Sequence, residues 1–461
     1  MSVIAAFVVP HPPIILPEVG HGEEKKIAKT SAAYFEAMRS IAALKPDTIV
    51  LTSPHSVMYT DYIHISPGTA ASGDMGRFNA GNVRIKTDYD EEFADSLASL
   101  AKQEGIPAGT KGEQDRSLDH ATMIPLYFLN KVYSNYKIVR IGLSGLSPLS
   151  HYRLGQCIAK TAEELGRRVV IIASGDLSHK LMEDGPYGFA PEGPVFDMQI
   201  TKAFRLGDFM SLLDVLPESA EAAAECGLRS FQIMAGALDR KNVTHELLSY
   251  EGPFGVGYAV AAFEVTGCDD SRDFGDQLER TERINLEKQK EGEDEYVRLA
   301  RLSLETYVKT GKRVKLPDGI SNEMKNRRAG AFVSLKKHGQ LRGCIGTISA
   351  TTESVAEEIM QNAVSAAVND PRFEAVTVDE LRELVYSVDV LGETERILSP
   401  EELDVKRYGV IVEKGMRRGL LLPNLEGVDT VEEQIDIAKR KAGIGSDDKV
   451  SLQRFEVVRH K

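Results

Sequence analysis

Four histidines of the 461-residue chain share a setting that can do chemistry. His11 follows the apolar run "FVVP", His55 follows "IVLTSP", His120 lies in "SLDHATMIPL", and His179 closes "IIASGDLSH". A neutral imidazole is the commonest protein metal ligand, and its titration near neutrality also suits it to moving protons. His11 and His55 each follow a proline just past an apolar run, so they read as a pair that serves one ion or one proton path. The candidates lie far apart in sequence, and no spacing rule names a metal. The third ligand is expected to be anionic. The stretch "PESAEAAAECGLRSFQIMAGAL" (217–238) reads as a helix in which Glu221, Glu225 and Cys226 precede an apolar stretch that must pack inward. Two histidines and a carboxylate with open positions suit non-haem Fe(II) and dioxygen, whereas two histidines and a thiolate also hold iron, zinc or copper. His21, His64, His151 and His245 lack this context and are read as surface or satisfied residues.

The elements that must position these groups are legible as periodicity. To about residue 268, β-branched runs ("IAAFVVP", "PDTIVLTSP", "YKIVRIGLS", "RVVIIASGDLS") alternate with amphipathic helical stretches ("KKIAKTSAAYFEAMRSIAAL", "YRLGQCIAKTAEELGRR"). Strands apolar on both faces and separated by helices predict an α/β unit over 1–268, with a mostly parallel central sheet covered by helices. In such a sheet, functional groups collect at the strand C-termini, where three of the four histidines fall. Residues 269–295 are nearly all polar or charged and read as a linker or an exposed helix start. Residues 296–461 mix segregated helices and strands, which predicts an α+β unit.

That second unit has its own candidates. "LRGCIG" (341–346) sets two glycines and a small thiol beside Arg342, so another backbone or a ligand can come close. Cys344 is a nucleophile if a neighbouring cation lowers its pKa, and otherwise a buried strand cysteine. Arg342, Arg372 and Arg417 or Arg418 are expected to converge on an anion, since guanidinium forks suit carboxylate or phosphate.

Composition narrows the classes. With 69 acidic and 56 basic residues and a net charge of −13, the chain lacks the excess of Lys and Arg that nucleic-acid or anionic-membrane binding needs. Residues 1–9 are apolar, but the run breaks at "PHPP" before a signal peptide or span is complete, which points to a cytoplasmic protein. The four cysteines form no C-x-x-C pair and read as reduced thiols, most of them buried. Self-association is left open.

The N-terminal motifs, "PHPPIILPEVG", "VLTSPHS", "LDHATMIPLYFL" and "ASGDLSH", in that order, resemble the class III extradiol ring-cleavage dioxygenases, the LigB superfamily that also contains the Memo proteins. The resemblance implies Fe(II) held by His11, His55 and Glu225, with Cys226 as the alternative third ligand that matches the Memo branch. It implies acid–base and oxygen-orienting roles for His120 and His179, and a small aromatic substrate cleaved with dioxygen. Residues 285–461 resemble the AMMECR1 family through "LRGCIGTI", "NDPRFEAVTVDEL", "VYSVDVLGETERI" and "GVIVEKGMRRGLLLP". The fusion is similar to a family associated with radical-SAM proteins, which implies such a protein as partner.

Overall fold

The computed structural model describes residues 3–113, 115–337, 340–425 and 427–461. The chain divides into two compact units, Met1–Thr281 and Glu282–Lys461.

The first unit is built on a six-stranded sheet. Its spatial order is Lys137–Gly142, Thr48–Ser53, Val169–Ser174, Val3–Val9, Tyr258–Cys268 and Lys241–Glu251. The first four strands run parallel, and they are the four runs expected from the sequence. The last two form an antiparallel hairpin added to one edge. Side chains alternate between two apolar layers. Ala6, Val8, Val50 and Ile171 enter one core, while Ala5, Phe7, Leu51 and Ile172 enter the other. Helix Ala28–Leu44 covers one face, and helices Pro148–Glu164 and Leu228–Ala237 cover the other. A sheet buried on both faces must use apolar residues at successive positions, which explains why these strands stood out.

The stretch 217–238 is two helices rather than one. Pro217–Ala223 ends at Ala224, whose φ of 51° is left-handed, and Leu228–Ala237 starts after Gly227. The break is fixed by close backbone packing: a Cβ on Gly175 would lie 2.2 Å from Gly227 Cα. Segment 269–295 holds helix Phe274–Gly292, and the division between the units falls inside it.

The second unit has a seven-stranded sheet in which every pairing is antiparallel, ordered Gln340–Gly346, Ala331–Lys337, Leu384–Leu391, Ser451–His460, Tyr408–Lys414 and Arg417–Leu421. Glu395–Ile397 joins it on Ser451–His460. Helices Glu295–Thr310 and Val355–Val368 share a core with the first strands, and Val431–Lys441 packs on the last ones. The α+β expectation matches this arrangement. Among the described residues no helix is long and apolar enough to cross a membrane.

Candidate metal centre

His11, His55 and Cys226 each present one ligand atom, and the three atoms lie within 4.8 Å of one another. His11 follows the strand Val3–Val9 and is 2% exposed. Its proton can be placed from its partners. Ser174 Oγ donates to the Ala121 carbonyl at 2.8 Å, so the same oxygen accepts from His11 Nδ1 at 3.1 Å. His11 Nε2 is therefore the unprotonated nitrogen, and two groups converge on it: His55 Nε2 at 3.1 Å and Cys226 Sγ at 3.6 Å. Two ligands on one tetrahedral ion with bonds of ~2.0–2.3 Å stand roughly 3.3–3.7 Å apart. A bare lone pair faced by a second imidazole and a thiol fits a cation, and the donor set suits a borderline-soft transition metal.

His55 follows the strand Thr48–Ser53, and its backbone N–H donates to Ser53 Oγ at 3.3 Å. Ser53 Oγ in turn donates to Asp119 Oδ1 at 2.6 Å. Asp119 also caps the helix His120–Leu129 by accepting from the Thr122 amide. One carboxylate thereby ties His55 to the helix that presents His120, and the two rings stack 4.3 Å apart. His179 Nδ1 lies 2.7 Å from the Ala224 carbonyl, which can only accept. The proton is therefore on Nδ1, and Nε2 is left as a base.

Sequence reasoning passed over Asp176, although it lies inside the matched "ASGDLSH". Its Oδ1 accepts from the His11 amide at 2.8 Å, and its own amide donates to Cys226 Sγ at 3.3 Å. Its Oδ2 is 4.0 Å from both His11 Nε2 and His179 Nε2. The signal that could have found it is a carboxylate two residues after the strand Val169–Ser174, which is buried at every position.

Burial sets the protonation of the group. It holds His11 well below the ordinary imidazole range, with His55, His120 and His179 adding to the effect. Burial, and then His55, lowers His120 to about 4. His55 and His179 are also lowered by burial, against the opposing pulls of Asp119 and of the Ala224 carbonyl. Neutral histidines are the ligand-ready form. Burial pushes the Cys226 thiol up, with Asp176 and Glu225 contributing, so a cation is what would favour its thiolate. Asp176 is raised to about 7 by burial.

The histidines line a cavity of about 690 Å³ whose walls include Phe78, Tyr187, Phe254 and Tyr258. Glu225 is not in the cluster. Its Oε2 accepts from the Leu228 amide at 2.6 Å, capping the helix that starts there, and the break at Ala224–Gly227 turns Cys226 to the histidines instead. Glu221, also weighed, is exposed. His21 and His245 are exposed and His151 is bonded to Ser147. His64, expected to be satisfied or exposed, is fully buried with neither ring nitrogen bonded among the described residues. Of the cysteines, Cys157 is buried and Cys268 is exposed.

In the second unit the expected convergence of arginines does not occur, because each fork has its own partner. Arg342 bonds Glu380, Arg372 bonds Asp370, Arg418 pairs with Glu413, and Arg417 donates to the Gly443 carbonyl. Burial raises the Cys344 thiol, which accepts from Ser334 Oγ at 3.2 Å, so it is not primed as a nucleophile.

Residues 5–261 match the family model for the catalytic LigB subunit of aromatic ring-opening dioxygenase, and residues 297–460 match AMMECR1. The chain belongs to the LigB family and carries an AMMECR1 domain. Protein CA_C1420 of Clostridium acetobutylicum is 45% identical over 469 residues, covering 100% of both chains. A Thermotoga maritima protein is 53% identical over 37% of this chain and 99% of its own length. The crystal structure of PH0010 from Pyrococcus horikoshii matches with 35% identity and a TM-score of 0.34, covering 36% of this chain and 88% of that one. Membership in LigB agrees with a metal-dependent fold of the dioxygenase or Memo type.

Proposed function

We propose that the N-terminal unit is a metal-dependent, dioxygenase-like oxidoreductase acting on a small aromatic hydroxyl compound. The observation that carries this reading is the convergence of His55 Nε2 and Cys226 Sγ on the unprotonated His11 Nε2, with His11, His55 and two further neutral histidines lining an aromatic-walled cavity. His11, His55 and Cys226 would hold the metal, with Fe(II) the first candidate and zinc or copper the alternatives. A bound metal supplies Lewis acidity to a substrate hydroxyl and, if it is iron, a redox partner for dioxygen. His179 takes the substrate proton at Nε2, because the Ala224 carbonyl fixes the other proton on Nδ1. His120, stacked on His55, orients the ligand and returns a proton. The aromatic walls bind the ring and exclude water.

A second reading has its own support. A thiol stands where the dioxygenase expectation put the Glu225 carboxylate, which favours a Memo-like metal-binding or regulatory module, with the AMMECR1 domain and a radical-SAM protein as partners. Anaerobic purification followed by elemental analysis tests the shared part: the chain carries one metal per molecule, and His11→Ala and His55→Ala lose it. Full metal content in both variants overturns the ligand assignment. Dioxygen uptake with a catechol panel separates the two readings. Turnover that falls ~10²–10⁴-fold in His179→Gln supports the enzyme, and iron bound without turnover supports the module.

A further inference from the structure

The strand Tyr258–Cys268 begins at the wall of the histidine-lined cavity, which Tyr258 itself lines. Its pairing with Val3–Val9 sets Val8 against Ala261 and, continued past Val9, brings Tyr258 level with His11. Just ahead of Tyr258 the chain is tied to the loop that carries Asp176 and His179. The Leu177 amide donates to the Gly257 carbonyl and the Gly257 amide to the Ser178 carbonyl, each at 2.8 Å. Gly257 has no room for a side chain, because a Cβ there would lie 2.0 Å from Asp197 Oδ2. Tyr258 and His179 are therefore held by one backbone ladder, and both face the cavity.

Tyr258 is 4% exposed, yet its hydroxyl makes no hydrogen bond among the described residues. Other buried tyrosines differ. Tyr34 donates to the Pro10 carbonyl at 2.8 Å. The hydroxyls of Tyr89 and Tyr386 are unpaired but sealed in the core, whereas that of Tyr258 keeps accessible surface. A tyrosine hydroxyl on a buried wall ordinarily finds a partner, so a ligand oxygen placed here gains a bond that no protein group supplies. The cavity has few other donors to offer. His11 Nδ1 is taken up by Ser174 and His179 Nδ1 by the Ala224 carbonyl, and among the described residues neither lysine nor arginine lines the space. Burial, and then the Asp176 carboxylate, raise the Tyr258 phenol, so it stays protonated and able to donate.

We propose that Tyr258 is a further catalytic residue, whose O–H donates to the substrate oxygen that gives its proton to His179 Nε2. That oxygen keeps the electron pair of the broken O–H bond, and a fixed donor stabilises the charge where it develops. Base and donor are positioned together because one ladder holds both. The inference rests on the function proposed above and adds the donor to its base.

The test is anaerobic titration of the iron-loaded, full-length chain with 4-nitrocatechol, whose absorbance reports ionisation of its hydroxyls. Tyr258→Phe keeps the ring and removes only the hydroxyl, so iron content and melting temperature are expected to stay unchanged. Affinity for the probe is expected to fall about tenfold or more, and ionisation of the bound probe to move up by about one pH unit, as loss of a hydrogen bond to a charged oxygen implies. Nitrobenzene, which offers a ring without hydroxyls, is expected to bind both proteins alike. An equal loss for nitrobenzene overturns the proposal, because Tyr258 then only packs against the ring. Loss of iron in Tyr258→Phe overturns it too, because the residue then acts on the centre itself. Unchanged affinity and ionisation in Tyr258→Phe sink this inference and leave the metal reading standing. The expected loss without dioxygen turnover keeps the donor and sinks the oxidoreductase reading, and no binding of the probe to the iron-loaded chain overturns both.

Discussion

Glu225 and Cys226 are neighbours in sequence with opposite duties. The carboxylate caps the helix Leu228–Ala237 through the Leu228 amide, and the thiol faces His11. Glu225→Ala therefore costs about 1 kcal/mol of stability, as loss of a capping acceptor does, and leaves metal content unchanged. Cys226→Ala keeps the fold and loses metal affinity by at least tenfold. Denaturant titration and metal competition on the two variants check this, and the reverse pattern would restore Glu225 as the ligand. The same scale explains why the assignment could not be read from sequence. "AECG" sets both groups beside an apolar stretch, and only the backbone break beyond Ala223 decides which one turns inward.

At the scale of elements, the candidate metal centre depends on how tightly the loop after strand Val169–Ser174 packs on the start of helix Leu228–Ala237. Gly175 and Gly227 form that contact, and a methyl at Gly175 would drive the two backbones apart. Gly175→Ala is expected to cost ~1–3 kcal/mol, as overpacking does, and also to weaken metal binding, because Asp176 and Cys226 separate with the backbones. A thermal melt and a metal titration measured together check it; full affinity in a destabilised variant would show that the contact serves the fold alone. Legibility followed the same physics. The four parallel strands could be read because burial on both faces demands unbroken apolar runs. The edge strand Lys241–Glu251 was missed because Val243 is its one buried position and polar residues stand at most of the others.

For the whole molecule, the two units respond differently to acid. His64 and His151 in the first unit are each lowered from 6.5 to about 4 by burial. Their folded pKa lies below the unfolded one, so the unfolded chain takes up protons first. The stability they confer is complete above 6.5 and is lost as pH falls towards 4. In the second unit, burial pushes Glu380 up, but the Arg342 fork and the Thr377 amide outweigh it and hold the carboxyl at about 2 against 4.5. That contribution is complete above 4.5 and is lost only as pH falls towards 2. Hydrogen exchange read by mass spectrometry between pH 7 and 4.5 should therefore show residues 3–281 losing protection before 282–461; simultaneous loss would refute the ordering.

The two ends of the His11–Cys226 contact stand 215 residues apart in the chain. At ~5–20 residues per second on a ribosome, the first ligand emerges roughly 10–40 s before the last. During that interval the nascent chain offers only His11 and His55 of the three candidate ligands. On the proposed metal reading, the choice of ion is therefore deferred until the whole N-terminal unit has been synthesised and folded.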